Sequence, residues 1–253
     1  MSQSALPFVS AICITGKSRF HVEELLPQAA ESFRLQTYPE DRRHLVVVTD
    51  LSKEAVVKMA EKWGFQYRVC LAPVGESLGA LRNIGLNNAC ADLAIQWDDD
   101  DWHHAGRIAT QVSAWLEYQH LGPAVCLQRQ LAYDWATDIA YVREFPHTPI
   151  QGSILHAIGA ERYPGKDKEE DTDFFAKFYD RVVAVDNRPE LYVRFSHGRN
   201  TWTRDHIMRE ARDWPDGTWN LGDHAAEYLR SVLTRYDATA MRRETCRSTG
   251  SAG

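Results

Sequence analysis

Four consecutive aspartates, Asp98-Asp99-Asp100-Asp101, follow directly on the apolar segment Leu93-Ala94-Ile95-Gln96-Trp97. Adjacent carboxylates repel and raise one another's pKa, so such a run at the end of a buried strand calls for a cation. Ligation by few carboxylate oxygens suits Mg²⁺ or Mn²⁺, which keep several waters and share their remaining positions with substrate phosphates. The alternative is a solvated acidic turn, or an N-cap cluster for a helix that follows at Trp102. Upstream, Arg82 in Leu81-Arg82-Asn83-Ile84-Gly85 precedes the aspartates by one helix and one strand. From there it can reach the same crevice and meet a nucleotide or its phosphates; its plainer role is a salt bridge on the helix surface. Downstream, Lys166-Asp167-Lys168-Glu169-Glu170-Asp171 runs into Phe174-Phe175. Asp171 can cap a helix there, or project into a cleft as general base for a hydroxyl nucleophile. His197 lies just past the strand-like Tyr192-Val193-Arg194-Phe195, as a structural imidazole or as a ligand completing a carboxylate site with Mn²⁺.

The elements that must position these groups alternate. The apolar segment Phe8 to Ile14 predicts a buried strand that breaks at Thr15-Gly16-Lys17-Ser18. A helical pattern from Val22 to Phe33 follows, with Pro27 either in the first turn or at a kink, and Gln36-Thr37-Tyr38-Pro39 closes it. Next come a strand over His44 to Asp50 and a helix capped by Ser52. A strand over Gln66 to Leu71, a helix from about Ser77 to Ala89 and the strand over Leu93 to Trp97 complete this half. Such alternation predicts an α/β fold with a mostly parallel sheet covered by helices, and ligands in these sheets sit beyond the carboxyl ends of the strands. After a helix around Arg107 to His120 the pattern loosens into strands near 125–132, 139–143 and 150–156, a helix near Asp171, and strands near 182–185 and 191–195. The expectation is one domain over 1–240, with a nucleotide half at 1–101 and an acceptor half at 102–240. The Arg, Ser, Thr and Gly-rich 241–253 is expected to be a disordered tail. Trp135, Tyr141, Phe145, His147 and Gln151-Gly152 in the middle are read as sugar-facing walls or as ordinary core.

Composition narrows the classes. The 253 residues are 44% hydrophobic with a net charge of −6, which is enough apolar material for a large core. No segment approaches the ~20 apolar residues of a membrane span, which excludes an integral membrane protein. The acidic balance argues against broad nucleic-acid binding, which needs a basic surface. Five cysteines never form a C-x-x-C pair, and their odd count favours a reducing compartment. The polar start Met1-Ser2-Gln3-Ser4 carries no leader pattern, so secretion is not expected.

In chain order the motifs are Val9-Ser10 through Thr15, Gln36-Thr37-Tyr38-Pro39, Val46-Val47-Val48-Thr49-Asp50, Arg82-Asn83-x-Gly85, Asp98-x-Asp100, Glu170-Asp171, and His197 in His-Gly-x-Asn-Thr-Trp. Together they resemble family 2 glycosyltransferases of the GT-A type over roughly the first two hundred residues. The resemblance implies a Rossmann-like, mostly parallel sheet flanked by helices, with a smaller mixed region on the acceptor side. It also implies that Thr15 and Asp50 contact the nucleoside, that Arg82 lies near the base or phosphates, and that Asp98 and Asp99 approach the ribose or nucleotide. Asp100 would hold Mn²⁺ or Mg²⁺, His197 would be a further ligand, and Asp171 the catalytic base. Thr49-Asp50 departs from the two acids common in the family, and the four-aspartate run leaves the metal register open between Asp100 and Asp101.

The implied reaction is a metal-assisted, inverting transfer from a nucleotide-diphosphate sugar, a UDP-sugar being expected, to a hydroxyl of a saccharide or lipid-linked acceptor. A cytoplasmic enzyme is expected, with peripheral contact at the inner face of a membrane open to it. Two rivals are a sugar-phosphate nucleotidyltransferase and a catalytically silent carbohydrate-binding protein of the same fold. Thr15-Gly16-Lys17-Ser18 is too sparse for the glycine-rich basic loop of the first and has no Walker pattern. Intact Asp100, Asp171 and His197 count against the second.

Overall fold

A computed structural model describes residues 6–16, 18–51, 53–145 and 148–249. Lys17, the cap read at Ser52, the wall residue His147 and 250–253 of the tail lie outside the described residues. The chain runs β1 (Val9–Thr15), α1 (Leu26–Arg34), β2 (Arg43–Thr49), α2 (Lys53–Ala60), β3 (Tyr67–Leu71), α3 (Leu78–Asn87), β4 (Leu93–Gln96), β5 (Trp102–His103), α4 (Arg107–Tyr118) and β6 (Ala124–Leu127). It continues with β7 (Arg129–Asp134), β8 (Ile139–Glu144), β9 (Ile150–Ala157), α5 (Glu170–Ala176), β10 (Val182–Val185), β11 (Tyr192–Ser196), α6 (Arg204–Ile207), β12 (Trp219–Asn220), α7 (Asp223–Leu233) and α8 (Ala238–Thr249). No described helix is long and apolar enough to cross a membrane.

Seven strands form the main sheet in the order β10-β6-β9-β4-β1-β2-β3. β1 is parallel to β2 and β4, and β3 to β2, whereas β9 runs antiparallel between β4 and β6. Strand alternation sends Val9, Ala11 and Cys13 to one face, where Leu26, Ala29 and Phe33 of α1 and Ile108 and Val112 of α4 cover them. Ile12 and Ile14 face the other side, against Leu81 and Leu86 of α3 and Phe174 and Phe175 of α5. Pro27 falls in the first turn of α1, after a π-helical turn at His21–Leu25. A second sheet, β12-β8-β7-β11-β5, packs Leu131, Tyr133, Val193 and Phe195 on Ala225, Leu229 and Val232 of α7.

Several expectations change. The stretch 125–132 is two strands in two sheets, because the Asn187 side chain accepts from Gln128 and Arg129 backbone N–H groups at 2.9 and 3.0 Å and donates to the Arg129 carbonyl at 2.9 Å. Trp102 opens a short strand paired with β11 instead of a helix. The tail expected to be disordered over 241–253 is helical through Thr249: Asp237 accepts from Thr239 and Ala240 N–H at the start of α8, and Met241 is buried beside Trp135 and Phe195. Trp135 and Tyr141 are core rather than cleft wall, with the Tyr141 hydroxyl donating to the Ile207 carbonyl at 3.0 Å.

The Arg-Asn-x-Gly motif explains how α3 is seated. Gly85 lies so close to β1 that a Cβ there would fall 2.3 Å from Ile12 Cγ2. Asn83 clasps the Tyr163 backbone in both directions, at 2.8 and 2.9 Å, which ties α3 to the segment leading into α5. Gly79 completes that seam: its N–H donates to the Lys166 carbonyl at 3.1 Å, and a Cβ there would fall 1.8 Å from the Pro164 carbonyl oxygen. Since that obstacle is backbone, Gly79→Ala is expected to cost about 1–3 kcal/mol, as overpacking does. Urea denaturation followed by tryptophan fluorescence checks it, and an unchanged midpoint contradicts the seam.

Candidate active site

The C-terminal ends of β1, β2 and β4 open on one cleft of about 450 Å³. All of Thr15, Asp50, Arg82, Asp98, Asp99, Asp100 and Asp171 line it. His197 stands just behind, fully buried, its Nε2 at 3.3 Å from Asp100 Oδ2. Thr15 and Asp50 meet because β1 and β2 are parallel in register, Thr15 opposite Thr49. Gly16, at φ 129°, has no side chain to hold the Asp50 carboxylate away; a Cβ there would fall 2.4 Å from Asp50 Oδ1. The Thr15 hydroxyl is buried at this edge with no hydrogen-bond partner among the described residues, a donor and acceptor left for a ligand.

Each aspartate of the run is answered by a different part of the chain. Asp98 accepts from Arg82 Nη2 at 3.0 Å and from Gln96 Nε2 at 3.0 and 3.2 Å. Asp99 meets His21, in the π-helical turn, at 3.1 Å. Asp100 accepts from Asn200 Nδ2 at 3.1 Å besides facing His197. Asp101 accepts from the Tyr192 hydroxyl at 2.5 Å and from the Phe195 amide at 3.1 Å. These partners separate Asp100 and Asp101. Burial pushes the Asp100 carboxyl up, but the hydrogen bond and charge of His197, with His21 and Arg194, outweigh it and hold the group below the carboxylate range. Burial, then Asp100 and Asp98, push Asp101 well above that range against Arg194 and Tyr192. Asp101 therefore anchors β11 to the end of β4, and Asp100 is the carboxylate that meets His197.

Arg82 is not on the helix surface. It is buried between Asp98 and Glu170, with Nε donating to Glu170 Oε1 at 3.1 Å, and Nη1 has no partner among the described residues. Burial lowers its pKa, yet Asp98 and then Glu170 more than reverse that, so it stays charged. Asp171, the next residue along α5, does not cap the helix from outside. It lies in the first turn, and Oδ1 accepts from the Thr172 amide at 2.8 Å.

Four residues of this network have no earlier assignment. Glu170 is the second partner of Arg82, and Tyr192 fixes Asp101. Asn200 accepts from the His197 amide at 3.0 Å and donates to the Phe195 carbonyl at 3.0 Å, which shapes the His-Gly-x-Asn turn. Arg107, fully buried on α4, donates to the Gln96 carbonyl at 2.9 Å and so fixes the strand end ahead of the aspartates. Burial brings its pKa down to about 10. Tyr192 and Arg107 carried no motif signal, but Glu170 and Asn200 each stood within one.

Comparison with solved structures gives TarS from S. aureus, residues 1–349 in complex with UDP, at TM-score 0.60 and 14% identity, covering 96% of this chain and 70% of that one. The same TarS segment in complex with UDP-GlcNAc superposes at TM-score 0.58 and 14% identity, over 96% and 71% of the two chains. The mannosyltransferase PcManGT from Pyrobaculum calidifontis, in complex with GDP-Man and Mn²⁺, matches at TM-score 0.57 and 12% identity, over 99% and 77%. No curated protein matches the sequence. The family model described as glycosyl transferase family 2 matches residues 12–158. That match takes in β1 through β9, with the Thr15–Asp50 edge, Arg82 and all four aspartates, and it spans more than half of the chain. The chain belongs to glycosyl transferase family 2 and has the GT-A fold.

Proposed function

We propose that this protein transfers a sugar from a nucleotide-diphosphate sugar to an acceptor hydroxyl, with inversion at the anomeric carbon, assisted by a divalent cation. The observation that carries this is the single cleft in which Thr15 and Asp50, Asp98 to Asp100, and Asp171 converge beyond the strand ends. TarS with UDP-GlcNAc and PcManGT with GDP-Man and Mn²⁺ support a nucleotide-sugar donor, and we take UDP-sugars as the first to test.

A divalent cation suits the donor set. Asp100 and His197 offer one carboxylate oxygen and one imidazole nitrogen 3.3 Å apart, close to the ~3 Å between neighbouring ligands of an octahedral ion. Among the described residues no group of three His, Cys, Asp or Glu side chains could hold an ion. The other positions therefore fall to phosphate and water, as is usual for Mg²⁺ and Mn²⁺. Bound by Asp100 and His197, the ion would supply positive charge to the diphosphate as it departs.

The chain's own groups account for the rest. Thr15 and Asp50 hydrogen-bond the nucleoside at the β1–β2 edge, and Asp98, held by Arg82 and Gln96, presents a fixed oxygen toward the ribose. Asn200 keeps Asp100 and the His197 turn in one orientation. Asp171 takes the acceptor's proton as its oxygen attacks, from the face opposite the leaving group.

Thermal-shift measurements with UDP, GDP, UDP-GlcNAc and GDP-Man, each with and without Mn²⁺, are expected to raise the melting temperature for at least one nucleotide sugar. Saturation at a hundred times Kd corresponds to about 2.7 kcal/mol of added stability. Asp100→Asn is expected to lose the Mn²⁺-dependent part of that shift, and silence toward all four ligands overturns the reading. Asp171→Asn is expected to keep the shift while transfer, followed by nucleotide release, falls about 10²–10⁴-fold. Retained turnover in that variant removes Asp171 from the mechanism.

A further inference from the structure

The cleft has a second wall, and its chemistry is opposite to that of the first. In the second sheet Gln130 on β7 pairs in register with Arg143 on β8, and Arg194 on β11 pairs with Ala132, two residues along from Gln130. Register partners share a face, so Gln130, Arg143 and Arg194 project together, and all three line the cleft. His206 and Arg209 join them from the end of α6 and the turn beyond it.

Gln130 is the second, independent sign of a ligand. It is 1% exposed, and neither its amide nitrogen nor its amide oxygen has a hydrogen-bond partner among the described residues. A buried amide with both ends unpaired is costly, and in a cleft wall it marks where a ligand supplies the missing bonds. The charges beside it are cationic. Arg143 is buried with one carboxylate partner, Glu210, which is itself 43% exposed, and its Nη1 makes no hydrogen bond among the described residues. Arg194 and Arg209 make no hydrogen bond or ion pair within 4 Å among the described residues, although Arg194 feels Asp101, Asp100 and Asp171 electrostatically. The cluster registers on His206, whose imidazole is held down by burial and then by Arg209, Arg194, Arg143 and Lys168. Arg194 thus stands at the seam between the acidic wall and the cationic one.

We propose that Gln130, Arg143, Arg194 and Arg209 form an oxyanion subsite, so that the acceptor sugar carries a phosphate or carboxylate close to the hydroxyl that reacts. Guanidinium forks suit both oxyanions, the Gln130 amide N–H adds a donor, and its carbonyl oxygen accepts from a neighbouring hydroxyl. The word acceptor rests on the glycosyltransfer reading above; the anion site itself does not.

Calorimetric titrations of glucose 6-phosphate, glucuronate and glucose into the protein saturated with UDP test it. Both anions are expected to bind, each at least tenfold more tightly than glucose. Arg143→Gln is expected to weaken them at least tenfold, and Arg209→Gln, at an exposed position where folding is not at stake, about threefold, while UDP affinity stays unchanged. Arg34→Gln, on the far side of α1, is the control and is expected to change nothing. Absence of anion binding, equal affinity for glucose, or indifference to both cleft substitutions overturns the subsite. Loss of UDP affinity in Arg143→Gln or Arg209→Gln also overturns it, because the cations would then serve the donor diphosphate. If UDP fails to bind the unaltered protein, the expectation of a UDP-sugar donor fails, and the same anion titrations without UDP still decide the subsite.

Discussion

Four carboxylates in consecutive positions cannot turn to the same partner, because the backbone sends successive side chains in different directions while their charges stay within a few ångströms. An uncompensated buried charge costs several kcal/mol against a total stability of about 5–15 kcal/mol. Each aspartate is accordingly met by a separate element: α3 through Arg82, the turn before α1 through His21, the turn after β11 through His197 and Asn200, and β11 itself through Tyr192 and the Phe195 amide. Only Arg82 is a permanent cation in that set; the others answer by hydrogen bonding or by a titratable ring. The constraint fastens both sheets to the end of β4, because β4 lies in the main sheet and β11 in the second.

From that arrangement comes a division of labour within one short run. Asp101 borders the cleft too, but its burial and its neighbours favour its protonated form and two donors hold it as a strap between sheets. Asp100 turns toward the cleft beside an imidazole and keeps its charge. The electrostatic contrast between adjacent residues is a matter of partners and of exposure rather than of residue type, as the two share the same side chain while Asp100 is the more exposed.

Arg82 carries a comparable double duty. Lying between Asp98 and Glu170, it joins the strand-end carboxylates to the first turn of α5, so the element bearing Asp171 is fixed relative to the nucleotide edge through one guanidinium. The Asn83 clasp and the bare surfaces of Gly79 and Gly85 hold α3 where that reach is possible. With an acidic wall on this side and arginines on the β7–β8–β11 side, the cleft separates opposite charges across the space where the reacting groups meet.

The sequence by itself determined the alternating strand and helix order through β4, the strand-end position of the aspartates and the family to which their motifs belong. These features are local: apolar periodicity, turn residues and short motifs are written in contiguous residues. The half after α4 was less legible. Its strands are short, and the switch between sheets at Gln128 depends on Asn187, some sixty residues away, while α7 and α8 gain their stability from packing under the second sheet. Trp135 and Tyr141 could be wall or core from their side chains alone, and only tertiary packing, of the turn after β7 for Trp135 and of β8 for Tyr141, assigns them to the core. Which aspartate meets the histidine, whether Arg82 is surface or buried, and that Gln130, Arg143 and Arg194 share a face were decided by tertiary structure, because charge partners and strand register join residues distant in sequence.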